Sequence, residues 1–109
     1  MSRHNIQMET IGQIIRNKRE SLGLLLRQVA ANLDIDPAIL SKIERNERKP
    51  NKDLILKLSE TLDIDKEELL AQYISDKIAY DIADENCADR VLKLAEEKVQ
   101  YLKTNSVNS

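Results

Sequence analysis

Leu22 to Pro50, LGLLLRQVAANLDIDPAILSKIERNERKP, is the stretch of this 109-residue chain that decides its fold. Leu26, Val29, Ala30 and Leu33 stand at i, i+3, i+4 and i+7, the apolar stripe of a short helix. Asp34-Ile35-Asp36 interrupts that pattern, and Asp36-Pro37 restarts it. An Asp side chain accepts hydrogen bonds from the free amides of a helical first turn, and proline fits the first helical position because no amide is needed there. Leu40 and Ile43 form the inner stripe of the second helix, while Ala38, Ser41, Lys42 and Arg45 take its other face. A basic loop with Arg48 and Lys49 then ends in Pro50.

Working outward, a first helix is predicted from about Thr10 to Leu22, with Ile11, Ile14, Ile15 and Leu22 on one face and Gly23 as its stop. Asn51 caps a further helix through Leu62, with Leu54, Ile55, Leu58 and Leu62 facing inward. Asp63-Ile64-Asp65 repeats the acidic turn of residues 34–36, and a fifth helix starts near Lys66. Leu70, Tyr73, Ile74, Ile78 and Ile82 read as one apolar stripe on it. Asp84 reads as the cap of a sixth helix, on which Ala88, Leu92, Ala95, Val99 and Leu102 recur by four and three, a heptad-like seam. Residues 1–8 lack periodicity and are expected to fray. The expected organisation is a domain at 9–70, a helical extension at 71–104 and a disordered tail at 105–109.

Composition agrees with an all-α chain. Hydrophobic residues reach 41% with no Trp or Phe and only three Tyr, so the core is aliphatic. Two Gly, two Pro and no β-branched alternation leave little for hairpins. The net charge of −2 hides an asymmetry. Residues 1–52 carry ten Lys or Arg against six Asp or Glu, and residues 53–109 carry seven against thirteen. Phosphate attraction is set by local charge, because charges are screened over roughly 8 Å at physiological salt. A single cysteine, Cys87, excludes an intramolecular disulfide. It has no sequence-adjacent cationic cluster to activate it and is expected to be a small packing residue. One His, His4, and one Cys make no metal set. No apolar run approaches the ~18 residues of a membrane span, so an intracellular chain is expected.

The ordered set Ile11-Gly12, Arg19, Leu22-Gly23-Leu24, Val29-Ala30, Leu40 to Arg45, Lys49-Pro50 and Leu58 to Leu62 resembles the lambda-repressor-like helix-turn-helix domain of Cro and XRE type transcription regulators. The resemblance spans about Ile11 to Leu70. It implies a five-helix DNA-binding bundle, here with a C-terminal helical extension, in a cytoplasmic protein of a bacterium or phage. The chain departs from the family where Asp34 and Asn46 stand at the usual glycines. Leu25 and Leu26 replace a polar pair that normally touches phosphate, and Ile39 replaces a commonly polar residue. Backbone amides at the start of the second helix are then left to hold that phosphate.

Carried over by position, the resemblance implies base reading by Pro37, Ala38, Ser41 and Lys42. Lys42 can donate to guanine, and Ala38 and Ile39 can touch a thymine methyl. Arg45, Arg48, Lys49 and Lys52 are the candidates for phosphate, followed by Arg27 and Gln28. The bland alternative is a solvated charged loop. Arg19 and Glu44 correspond to a structural ion pair between the first and third helices. The apolar residues Tyr73, Ile74, Ile78, Leu92, Ala95, Val99 and Leu102 are surplus to the domain, and are expected to form a dimer interface or else fold back onto it. No nucleophile with a partner base and no Gly-rich phosphate loop is visible, so an enzyme, a cofactor and a small-molecule ligand are not expected. The leading expectation is a sequence-specific, repressor-like transcription regulator acting as a homodimer on a palindromic site in double-stranded DNA. The alternative is a protein-interaction module or antitoxin-type partner that keeps the fold without reading DNA, motivated by Leu25, Leu26 and Ile39.

Overall fold

The computed structural model describes residues 8–108, so the expectations for residues 1–7 and Ser109 lie outside the described part. The described residues form six helices and no strand: α1 Ile11–Ser21, α2 Leu26–Leu33, α3 Pro37–Glu44, α4 Lys52–Thr61, α5 Lys66–Ile82 and α6 Ala88–Asn108. Two compact units divide the chain, one ending at Asp76 and the other beginning at Lys77.

In the first unit, α3 packs on α1 and on α2, and α2 packs also on α4. The core is aliphatic: Ile15, Val29, Ala30, Leu40, Ile55, Leu58, Leu62 and Leu69 are fully enclosed, with Ile11, Leu33 and Ile43 nearly so. These are the inner stripes of each helix, as the periodicity requires. Local chemistry starts each helix. Thr10 and Gln13 form a reciprocal capping box on α1, with Thr10 Oγ1 accepting from Gln13 N and Gln13 Oε1 accepting from Thr10 N. Asp36 accepts from Ala38 N ahead of Pro37, and Asn51 accepts from Leu54 N.

The turns are made without glycine at most corners. Asp34, Asn46 and Asp63 adopt left-handed φ values of 57°, 62° and 55°. Short polar side chains tolerate that region better than other L-residues. Gly23, at φ 70°, ends α1 in the same way. Leu22, expected on the inner face of α1, is instead exposed, because it is the C-cap residue and lies past the last turn that packs.

The C-terminal part departs from expectation at five points. The first unit runs to Asp76 rather than Leu70. Tyr73, expected in a dimer interface, is 8% exposed and belongs to the head's core. It lies one turn after the enclosed Leu69 and so faces the same way, whereas Ile74 and Ile78 are exposed on another line of α5. Asp84 does not cap α6: it sits in the turn after Ile82, and α6 begins four residues later at Ala88. Cys87 in that turn is exposed rather than packed. The expected tail from Asn105 is helical to Asn108, since extending an existing helix fixes one residue per hydrogen bond gained.

Arg19 and Glu44 join α1 to α3 through a bidentate contact. Arg19 Nε donates to Glu44 Oε2 at 2.7 Å, and Nη2 donates to Oε1 at 2.9 Å. The remaining terminal nitrogen, Nη1, donates to the Leu24 carbonyl at 2.9 Å. The side chains are only 11% and 4% exposed. Glu44's hydrogen bonds raise the guanidinium's pKa above its ordinary value while burial opposes the rise. On the arginine side the stabilisation is therefore lost only as pH climbs past that raised value. Removing either partner strands a buried charge. Arg19→Ala and Glu44→Ala are each expected to lower unfolding free energy in denaturant melts by roughly 3–5 kcal/mol, and the double change by less than their sum.

Candidate nucleic-acid interface

Helix α3 is eight residues long, and burial divides it cleanly. Leu40, Ile43 and Glu44 are turned into the head. Pro37, Ala38, Lys42 and Arg45 are exposed and Ser41 is half-buried, so the five share the outer face. An eight-residue helix is about 12 Å long, so this face is compact enough to enter one major groove. The four residues expected to read bases therefore stand together. Ile39 is half-buried and packs against the core, which accounts for an apolar residue at a commonly polar position.

The residues expected at phosphate are exposed as well. Arg45 Nε donates to its own helix at Ser41 O, at 3.3 Å, and its Nη2 lies 3.4 Å from Glu47. Both charges of that pair are about half exposed, so the contact is weak and can be exchanged for another anion. Arg48, Lys49 and Lys52 are exposed along the loop and the first turn of α4. Arg27 and Gln28 are exposed on the first turn of α2. Gln28 is partly committed: its Oε1 accepts from Leu25 N at 2.8 Å, which leaves its amide nitrogen as the outward donor. Leu25 occupies the N-cap of α2, where no side-chain hydrogen bond is made, and it is 47% exposed.

The residues expected in an interface on the extension, Ile74, Ile78, Leu92, Ala95, Val99 and Leu102, are all exposed. Among the described residues, no group of three His, Cys, Asp or Glu side chains is placed to hold a metal. No described helix is long and apolar enough to cross a membrane.

A family model described as Helix-turn-helix matches residues 15–69, just over half of the chain. The chain belongs to the helix-turn-helix family. It is a DNA-binding regulator by family, not an enzyme. A solved chain from a SinR protein/SinI protein complex is similar at 24% identity and a TM-score of 0.52. That similarity covers 87% of this chain and 99% of the other, and it supports the fold alone. No protein of curated function matches. The match to the helix-turn-helix model takes in α2, its left-handed turn at Asp34 and α3.

Sequence reasoning missed two polar positions in the head. Asn46 Nδ2 donates to Thr10 Oγ1 at 2.8 Å, linking the residue that ends α3 to the cap of α1. Asp76 Oδ2 accepts from Ile11 N at 3.1 Å. The Thr10-Gln13 spacing was a readable cap signal, whereas nothing local marks a partner 65 residues away. Asp34, in the left-handed region, makes the turn between α2 and α3. Asp34→Val is expected to lower stability by about 1–2 kcal/mol, since a β-branched residue resists positive φ, while Asp34→Gly should hold or raise the melting temperature.

Proposed function

We propose that this chain is a sequence-specific, repressor-like transcription regulator that binds a palindromic operator as a homodimer, in the cytoplasm of a bacterium or a phage-infected cell. The observation that carries the reading is the outer face of α3, which displays Pro37, Ala38, Ser41 and Lys42 together, with the exposed cations Arg45, Arg48, Lys49 and Lys52 following in the chain. Lys42 donates to guanine O6 or N7 and Ala38 contacts a thymine methyl, so few hydrogen bonds carry the sequence preference. Groove shape supplies the remainder. The cations that follow α3 bind phosphate and fix register, as do Arg27, Gln28 and the amides at the start of α2.

Dimerisation is supported by apolar surface that one copy leaves uncovered. On α6, Leu92, Val99 and Leu102 are exposed in a four-and-three repeat with Ala95, and Leu94 and Tyr101 form an adjoining line seven residues apart. An apolar arc that wide suits a bundle in which each helix meets more than one neighbour, and two copies supply the helices. A two-fold pair places its recognition helices about 34 Å apart, one turn of DNA.

Lys42→Ala is expected to cost about 1–3 kcal/mol of specific affinity while leaving random-sequence binding nearly unchanged. Arg48→Ala and Lys49→Ala should weaken both and flatten the dependence of affinity on salt. Fluorescence anisotropy titrations at several salt concentrations measure all three variants. An unchanged specificity ratio for Lys42→Ala removes it from base reading. Paired charges at the seam, Val99→Glu with Leu102→Glu, should turn a sedimenting dimer into a monomer and lower operator affinity by roughly 100-fold through lost avidity.

The exposed Leu25, standing where a polar residue normally touches phosphate, favours a second reading, in which the chain binds a protein partner instead. Passage of the chain through random-sequence DNA and heparin columns at low salt is the result that selects it.

A further inference from the structure

Four cations, Arg45, Arg48, Lys49 and Lys52, fall within eight consecutive residues, and Glu47 is the only acid among those eight. A carboxylate inside a basic run works against phosphate attraction, which follows local charge. It gains nothing from the helix either. Glu47 stands two residues past Arg45, the C-cap of α3, where the negative end of the helix dipole favours a cation.

The backbone holds Glu47 in that place. Helix α3 ends in two bonds that run back over its last turn. Asn46 N donates to Ile43 O at 3.1 Å, and Glu47 N donates to Lys42 O at 2.8 Å. This pair of bonds is a Schellman stop, and it uses the left-handed φ of 62° at Asn46. The Asn46 side chain is fixed as well, donating from Nδ2 to Thr10 Oγ1 at 2.8 Å. The side chains on either side of Asn46 meet. Arg45 Nη2 lies 3.4 Å from Glu47 Oε1, while Arg45 Nε donates to Ser41 O at 3.3 Å. The guanidinium is thus engaged twice by its own chain. Both members of the ion pair stay about half exposed, at 52% and 54%. A pair so open to water is weak, and an incoming anion can displace it.

We propose that Glu47 is an internal competitor of DNA phosphate for Arg45, and that it limits how tightly the head holds DNA by charge alone. The inference rests on the DNA-binding reading above, in which Arg45 binds phosphate. A phosphate that reaches Arg45 must displace Glu47 or stand near it, and two anions on one guanidinium repel. Binding to random sequence is almost wholly a matter of charge. The smaller that contribution, the larger the share of affinity that base contacts on α3 must supply.

The test measures affinity of the full chain for a short random-sequence duplex, with Glu47→Gln made alone and in an Arg45→Ala background. In the unaltered background Gln removes both the repulsion of phosphate and the hold on Arg45, and affinity is expected to rise about tenfold at low salt. With Ala at position 45 only the repulsion is left to remove, and the rise should be about threefold or less. Glu47→Ala, which cannot accept from Arg45, should gain at least as much as Glu47→Gln. Both gains should shrink as salt is raised. A rise of equal size in the two backgrounds overturns the proposal, since Glu47 would then act as a surface charge and not through Arg45. Unchanged or weaker binding by both Glu47 variants also overturns it, and makes the pair a brace that aims Arg45. If Arg45→Ala alone leaves affinity unchanged, Arg45 is removed from phosphate binding and the proposal falls, while the DNA-binding reading stands on the other cations. Failure of the unaltered chain to bind the duplex at low salt overturns that reading and this one together.

Discussion

The fold turns on the union of α1 with α3. The Arg19 guanidinium grips both oxygens of Glu44 and also holds the Leu24 carbonyl, which precedes α2. One buried side chain thereby ties three helices at their junctions. At the other end of α1, Gly12 admits the final carbonyls of α3 because it has no side chain. With α1 fixed at both ends of the contact, α3 has one position, and its outer face is determined. A base-reading helix requires that rigidity, since displacement of a donor by an ångström forfeits a hydrogen bond.

Helix stops are the second constraint. An eight-residue helix such as α2 or α3 is too short to persist alone and depends on its ends and its packing. Asp34, Asn46 and Asp63 turn the chain where glycine would be the simplest choice. Each pays a small conformational penalty and keeps a polar side chain in return. At Asn46 that side chain is used, in the bond to Thr10. At Asp34 and Asp63 no such use is evident, and the residues serve as turns.

Much of this was legible in the sequence because it is local. Periodic apolar residues gave α1 to α4 and their inner faces, Asp36-Pro37 and Asn51 gave two helix starts, and the outer face of α3 followed by subtraction. The Arg19–Glu44 pair came from the family resemblance, not from any rule of spacing. The C-terminal part was less legible. Tyr73 shares an apolar neighbourhood with Ile74, and only the position of the enclosed Leu69 says that the tyrosine belongs to the head. Asp84 resembles a cap, yet the chain spends three more residues in the turn before α6 starts. Asp76 looks like an ordinary surface carboxylate until the fold brings the first amide of α1 beside it.

The central claim is that the outer face of α3, used twice in a symmetric pair, reads DNA. Selection of bound molecules from a random pool of double-stranded DNA tests it most directly. The account predicts enrichment of an inverted repeat whose half-site centres lie about 10 base pairs apart, one helical turn. Enrichment of a single unrepeated element, or of no sequence above the starting pool, would contradict it.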